Sequence, residues 1–186
     1  MECSEKKAFG LLGTLIFSGW TVAAFFIPRL SDLYGRKWVF IGSMLTQLLA
    51  LVAMLAAKSY TVMAVALFVI GMCSASRWTV SYVYLMEFLT DAKIKIIGPL
   101  VNASAAIAFL VGAFTLQFLT KNTIVLEYAA VGISIYSSIF CGLFLPESAK
   151  WLVNSGQMEK AAQSYSYIAE VNGQTEAAQQ VYSCKF

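Results

Sequence analysis

Long apolar runs separated by brief polar stretches dominate this chain. Five runs are long enough to cross a bilayer as helix: Ala8–Ile27, Trp38–Ala57, Tyr60–Met86, Ile96–Leu119 and Ile124–Leu145. At a rise of 1.5 Å per residue, about 20 residues cover a hydrocarbon core roughly 30 Å thick. The polar stretches between the runs are too short to hold a domain. The predicted fold is all-α, a multi-pass transmembrane helix bundle over residues 1–145 with a polar tail over 146–186. In the tail, Met158, Ala161, Ala162, Tyr165 and Ala169 fall on one stripe, which predicts an amphipathic helix around Gln157–Val171. Asn172-Gly173 supplies its stop.

The stretch Pro28–Trp38 between the first two runs carries Arg29, Arg36 and Lys37 with the single carboxylate of Asp32, and Gly35 to bend the chain. A short basic connection of this kind reads as a cytoplasmic hairpin. With that side inside, the near-membrane cations inside are Arg29, Arg36, Lys37, Lys93, Lys95 and Lys150, against Lys6, Lys7, Lys58 and Lys121 outside. The bias favours an N-terminus outside and a cytoplasmic tail. The opening Met-Glu-Cys-Ser-Glu-Lys-Lys leads into a full-length run with no small-residue cleavage site, so a retained span is expected.

Composition narrows the chemistry. Hydrophobic residues are 59% of the chain and charged residues 12%, against about 25% charged in globular domains. The lipid bilayer is thus the expected surrounding partner. No basic, aromatic-interleaved patch points to nucleic acid. Histidine is absent, which removes Ser-His and Cys-His nucleophiles and most zinc sites. The only aspartates, Asp32 and Asp91, fall in the expected loops, and no Gly-rich phosphate loop occurs. The inventory therefore argues against an enzyme and offers no cofactor or metal site. Cys73 and Cys141 lie in spans, while Cys3 and Cys184 fall on opposite sides of the membrane, so no disulfide framework is expected. The acceptor pattern Asn102-Ala-Ser104 lies within a span and carries no weight.

Several segments, in order, resemble the organic cation/anion branch of the major facilitator superfamily. Leu12–Trp20 with Pro28–Phe40, containing Asp32-x-x-Gly35-Arg36-Lys37, is similar to its second helix and following loop. Ser76–Phe88 resembles its fourth helix, Leu145-Pro-Glu-Ser-Ala-Lys-Trp-Leu152 the element after its sixth, and Ile168–Gly173 the start of its central loop. The family fold has twelve helices in two six-helix halves. The resemblance implies helices two through six of the first half, hence a fragment or truncated form of an alternating-access carrier of small organic ions. A non-transporting membrane scaffold subunit is the alternative. On either reading a membrane-protein partner or self-association is expected. The chain departs from the pattern at Pro28, where a glycine is usual, and at Lys150, where an arginine is usual. It also lacks the arginine expected near Leu67.

The resemblance implies a charge network at the inner end from Asp32, Arg36, Lys37, Glu87, Glu147 and Lys150; the plainer reading is that these charges mark topology. Asp32 and Arg36 are four apart and would meet if the connection is helical. Arg77 is a charge well inside a span, about 15 Å of helix before Glu87. It is read either as a substrate-contacting cation in a cavity with Trp78, Tyr82 and Tyr84, or as an arginine that snorkels toward the inner interface. Aromatic faces there suit organic cations. Ser104, Ala108 and Gly112, at four-residue spacing, form a stripe for close helix packing.

Overall fold

The computed structural model describes residues 2–57, 59–89, 91–119 and 123–173. Seven α-helices follow in order among the described residues: α1 Glu2–Tyr34, α2 Arg36–Ala56, α3 Tyr60–Phe88, α4 Asp91–Phe114, α5 Thr123–Phe144, α6 Ala149–Asn154 and α7 Met158–Val171. A π turn, Thr115–Leu119, prolongs α4. There is no strand among the described residues. The first five helices are each long and apolar enough to cross a membrane, and the protein is a multi-pass membrane protein. The tail beyond residue 173, with Cys184, and the loop cations Lys58 and Lys121 lie outside the described residues.

Two boundaries differ from the pattern reading. Helix α1 runs through Pro28 to Tyr34 rather than ending at Ile27. A proline removes one main-chain hydrogen bond, which a long spanning helix tolerates. The expected eleven-residue connection thus contracts to Gly35 alone. Helix α4 likewise starts at Asp91, not Ile96, and takes in Lys93, Lys95 and Pro99. At the far end, α7 stops as expected, with Asn172 as its cap and Gly173 at φ 73°.

Helix α3 is the axis of the bundle. It packs along α1 and α2, and α2 carries α5 on another side. The interior is built from small residues. Ala23 and Ala75 are 1% exposed, whereas Phe25 and Phe109 are 77% and 81% exposed. That inversion fits lipid as solvent, where packing gains come from close backbone approach rather than from burying bulk. The closest approach is between α1 and α3. A Cβ on Gly19 would overlap the Phe68 carbonyl, and one on Gly71 would overlap the main chain of Ile16. Helix α4 makes only slight contact with the other spans, resting near its start, where Gly98 faces the Tyr82 hydroxyl and the Met86 methyl.

A bulky residue at the glycine seam should separate α1 from α3. Gly71→Leu is expected to destabilise the bundle by about 1–3 kcal/mol, the usual range for overpacking. Gly42, which has open space where a Cβ would go, is the control as Gly42→Leu. Thermal unfolding in detergent should show a lowered midpoint for Gly71→Leu only; equal midpoints would remove the seam from the account.

Candidate functional site

The turn at Gly35 builds the site. Its N–H donates to the Ser31 carbonyl (3.2 Å), closing α1, and its φ of 98° lies in the left-handed region that favours glycine. A Cβ there would also sit 2.6 Å from Glu147 Oε2. The reversal makes Arg36 the first residue of α2 and points its guanidinium back along α1. Arg36 pairs with Asp32, one turn before it. Its Nη1 donates to Ser31 Oγ at 3.0 Å. Its Nε and Nη2 each lie 3.2 Å from Glu87 Oε1, at the end of α3. The Arg36 and Glu87 side chains are 13% and 16% exposed, and Asp32 is 66% exposed. Two carboxylates and a hydroxyl thus satisfy one cation at the junction of three helices, a geometry that the planar guanidinium fork allows and an ammonium would not.

Glu147 serves the neighbouring helix end. No side chain caps α2 at Gly35, and its first turn holds no acid. Glu147 Oε1 accepts instead from the Lys37 N–H and from the Ser148 N–H, both at 3.0 Å. An acceptor with negative charge at a helix N-terminus satisfies an orphan donor and complements the helix dipole. The segment that carries Glu147 is strapped down from three directions. Tyr84 of α3 donates to the Pro146 carbonyl. Ser164 of α7 donates to the Glu147 carbonyl at 2.7 Å. Trp151 Nε1 of α6 donates to the Asp32 carbonyl at 2.7 Å. Ser148, fully buried, caps α6 by accepting from the Trp151 N–H at 3.3 Å.

Two cavities flank α3 at this end. One of about 470 Å³ is lined by Ser31, Asp32, Arg36, Trp78, Thr79 and Tyr82 among others. The second, about 760 Å³, is largely apolar and lies among α3, α4, α5 and α7, with Phe40, Tyr84, Val101, Phe140 and Tyr167 in its walls.

The structure brings Asp32, Arg36 and Glu87 together, with Glu147 beside them. Lys37 joins through its main-chain N–H, and Lys150 is exposed with no ion pair among the described residues. Trp78 and Tyr82 do share a cavity, but Tyr84 is 4% exposed and its hydroxyl is engaged by Pro146. Arg77 lines neither cavity. It is half-buried, and its Nε has no hydrogen-bond partner among the described residues. Ser104 and Ala108 are exposed, and a Cβ on Gly112 would meet nothing within 4 Å. The pattern reading missed Trp151 and Ser164, because each donates to a main-chain carbonyl far along the chain, and Ser31, whose hydroxyl meets Arg36 only because α1 stays helical past Pro28. It also missed Gly19 and Gly71, whose close contact depends on how α1 crosses α3. In α7 the buried positions are Ala161, Ser164 and Ser166, with Met158 and Tyr165 outward, since Ser164 must reach Glu147.

A family model described as Sugar (and other) transporter matches residues 2–184. Among curated proteins, rat solute carrier family 22 member 2 is 25% identical over 182 residues, covering 94% of this chain and 31% of the relative. A Xenopus laevis solute carrier family 22 member 15-like protein is 27% identical over 180 residues, covering 97% of this chain and 37% of the relative. The rabbit steroid transmembrane transporter SLC22A24 is 26% identical over 181 residues, covering 96% and 32%. The chain spans about a third of the length of these relatives.

Gly35 and Glu147 are coupled by space as well as by charge. Gly35→Ala is expected to cost about 1–2 kcal/mol for the left-handed backbone alone, plus a steric cost against the Glu147 carboxylate. Removing that carboxylate in Glu147→Ala relieves the second part and leaves the first. A double-mutant cycle by chemical unfolding in micelles should therefore show the Gly35→Ala cost shrinking in the Glu147→Ala background. Strictly additive costs would show that the carboxylate does not crowd the turn.

Proposed function

The chain belongs to the sugar (and other) transporter family, and from that premise we propose that it forms part of an alternating-access carrier of small organic ions. The observation that carries the reading is the reach of Arg36, which holds Asp32 of α1 and Glu87 of α3 at once. Such a junction is stable only while the three helix ends stay together. Breaking it strands a cation and two carboxylates, so the helix ends have two discrete arrangements rather than a continuum. That is the behaviour a gate requires. Glu147 and the strapped α6–α7 tail extend the junction beneath the bundle. The charged end, on this reading, faces the cytoplasm, with the N-terminus outside.

The smaller cavity adjoins the junction and supplies the substrate contacts. Trp78 and Tyr82 offer aromatic faces, and Asp32 and Arg36 offer one charge of each sign. Aromatic faces attract organic cations, and the neighbouring guanidinium accommodates carboxylates, which suits small organic ions of either sign. Substrate and gate share Arg36 and Asp32, so a solute entering the cavity acts directly on the junction.

Uptake by the full gene product in proteoliposomes tests this, with a quaternary ammonium and an aromatic carboxylate as solutes. Glu87→Gln touches the gate and should change the maximal rate by about tenfold, within the usual range of coupling free energies. The half-saturating concentration should stay nearly fixed. Trp78→Ala should do the reverse, weakening half-saturation with little change in maximal rate. Equal effects of Glu87→Gln on both parameters would overturn the gating role. Absence of saturable uptake of either solute by the unmutated protein would favour the non-transporting scaffold. Epitope tags at the two termini, read by protease protection in sealed vesicles, should report opposite sides, with the C-terminal tag inside; tags on one side would refute the odd number of spans.

A further inference from the structure

Ser76 of α3 carries a hydroxyl that its own helix leaves unbonded. Hydroxyls in the spans ordinarily turn back on their helix: Ser43, Thr46, Thr79, Ser104 and Ser138 each donate to a carbonyl three or four residues earlier. Ser76 is 1% exposed, and its Oγ has no hydrogen-bond partner among the described residues. Gln47, buried at a similar depth on α2, does not answer it, since its own Oε1 is unpartnered too. A buried hydroxyl left without a partner carries the full cost of its desolvation.

Ser76 lines a third cavity, of about 600 Å³, bounded by Tyr34 of α1, by Trp38, Gly42 and Thr46 of α2 and by Cys73 of α3, among others. No charged side chain lines it. It lies on a different face of α1 from the smaller cavity of the candidate site: Leu30 and Tyr34 border the one, Ser31 and Asp32 the other. Its two ends differ. Tyr34 and Trp38, each 67% exposed, stand at one end beside the Gly35 turn. Ser76 and Thr46 stand at the other. Arg36 and Glu87 meet at the inner helix ends; Thr46 comes ten residues after the first and Ser76 eleven before the second. Both hydroxyls therefore lie about 15 Å of helix inward, near the middle of a hydrocarbon core about 30 Å thick. Gly42 and Thr46 are exposed, so the cavity opens to lipid along α2.

The deep hydroxyl decides what fits. A phospholipid chain or a sterol keeps its polar head at the membrane surface and sets hydrocarbon against Ser76, which leaves the hydroxyl unmatched. A water in so apolar a wall lacks the several polar partners it needs. A charged solute finds no counter-charge. What remains is a neutral apolar body with a polar oxygen at each end. The outer oxygen meets the Tyr34 phenol or the Trp38 indole N–H. The inner one pairs with Ser76 and reaches the Thr46 hydroxyl, whose proton is spent on the Gly42 carbonyl but whose lone pairs still accept. From Trp38 to Thr46 is eight residues, about 12 Å of helix, which sets the spacing of the two oxygens. We propose that the cavity between α1, α2 and α3 is a lipid-facing binding site for a neutral, elongated, rigid molecule with a hydroxyl or keto oxygen at each end. Rigidity favours binding because less freedom is lost. The site shares no lining residue with the smaller cavity, so it and the carrier reading can fail separately.

The test uses trans-stilbene with a para hydroxyl on each ring, a rigid probe whose oxygens stand about that far apart, and the same stilbene with a hydroxyl on one ring only. Each is titrated into the protein in phosphatidylcholine vesicles, and the saturable part of the energy transfer from tryptophan to stilbene is read. The two-hydroxyl probe should bind about fivefold more tightly, the worth of one hydrogen bond. Ser76→Ala should make the two probes equal. Gly42→Leu, which fills open space in the cavity wall, should remove the saturable transfer for both. Transfer that never saturates in the unmutated protein means that the probes only dissolve in lipid, and it overturns the proposal. So do equal affinities of the two probes, a preference that survives Ser76→Ala, and saturable binding that survives Gly42→Leu.

Discussion

A charge at the edge of a lipid-facing bundle is tolerated only when it is matched, and the matching of Arg36 organises this end of the protein. The guanidinium is 13% exposed and meets Asp32, Ser31 and Glu87. Each partner comes from a segment that had to be placed for other reasons. Asp32 and Ser31 sit on the last turns of α1 because that helix runs through Pro28. Glu87 ends α3, whose position is set by the glycine seam with α1. Arg36 itself reaches backward only because Gly35 takes a positive φ and leaves room for the Glu147 carboxylate. A side chain at residue 35 would disturb the turn, the carboxylate behind it and the cap on α2 together.

The seam and the junction are two answers to one condition. In lipid, apolar bulk gains little by turning inward, so the buried positions are mostly Ala and Ser with a few larger residues such as Met44, Leu51 and Val80, and helices are fixed by close backbone contact and a few polar bonds. The polar bonds are concentrated at one end. Tyr84, Ser164 and Trp151 each donate to a main-chain carbonyl near the junction. These carbonyls belong to a helix end (Asp32) and to the connection after α5 (Pro146 and Glu147), where helical bonding leaves acceptors over. Side-chain donors from other elements thereby convert loose ends into cross-ties. The tail helices α6 and α7 are thereby tied to the same junction as the spans.

Much of this was legible in the sequence, and what was not has a common cause. The five spans, the tail helix with its stop at Asn172-Gly173, and the meeting of Asp32 with Arg36 follow from run length, period and a spacing of four. So does the unease at Arg77, a lone cation in an apolar run. The helical course through Pro28 was not legible, because a proline read alone signals an end, and only a spanning helix that must keep its bonds carries on past it. Lys37 was read for its ammonium, whereas its main-chain N–H does the bonding. Tyr84 was read as an aromatic wall and is a hydroxyl tie. In each case the sequence shows side-chain chemistry, while the contact is made by, or to, the backbone. The stripe Ser104, Ala108 and Gly112 has the spacing of a seam, yet it points outward, and the operative glycines are Gly19 and Gly71. Spacing marks a face as able to pack closely, but only the topology decides whether a neighbour is there.

The two arginines show how far local sequence can answer a charge. Arg36 finds one acid a turn away on the same strand of chain and another across the bundle, at an end where water is near enough to share the cost. Arg77 sits about 15 Å of helix deeper, where neither a turn of its own helix nor the solvent offers an acceptor. Its insertion costs roughly 2.5–3.5 kcal/mol on translocon scales before any partner is counted. Its neighbours on the same stripe of α3, Cys73, Val80 and Tyr84, are nearly fully buried, so the chain holds this charge against a packed face and not against an open one.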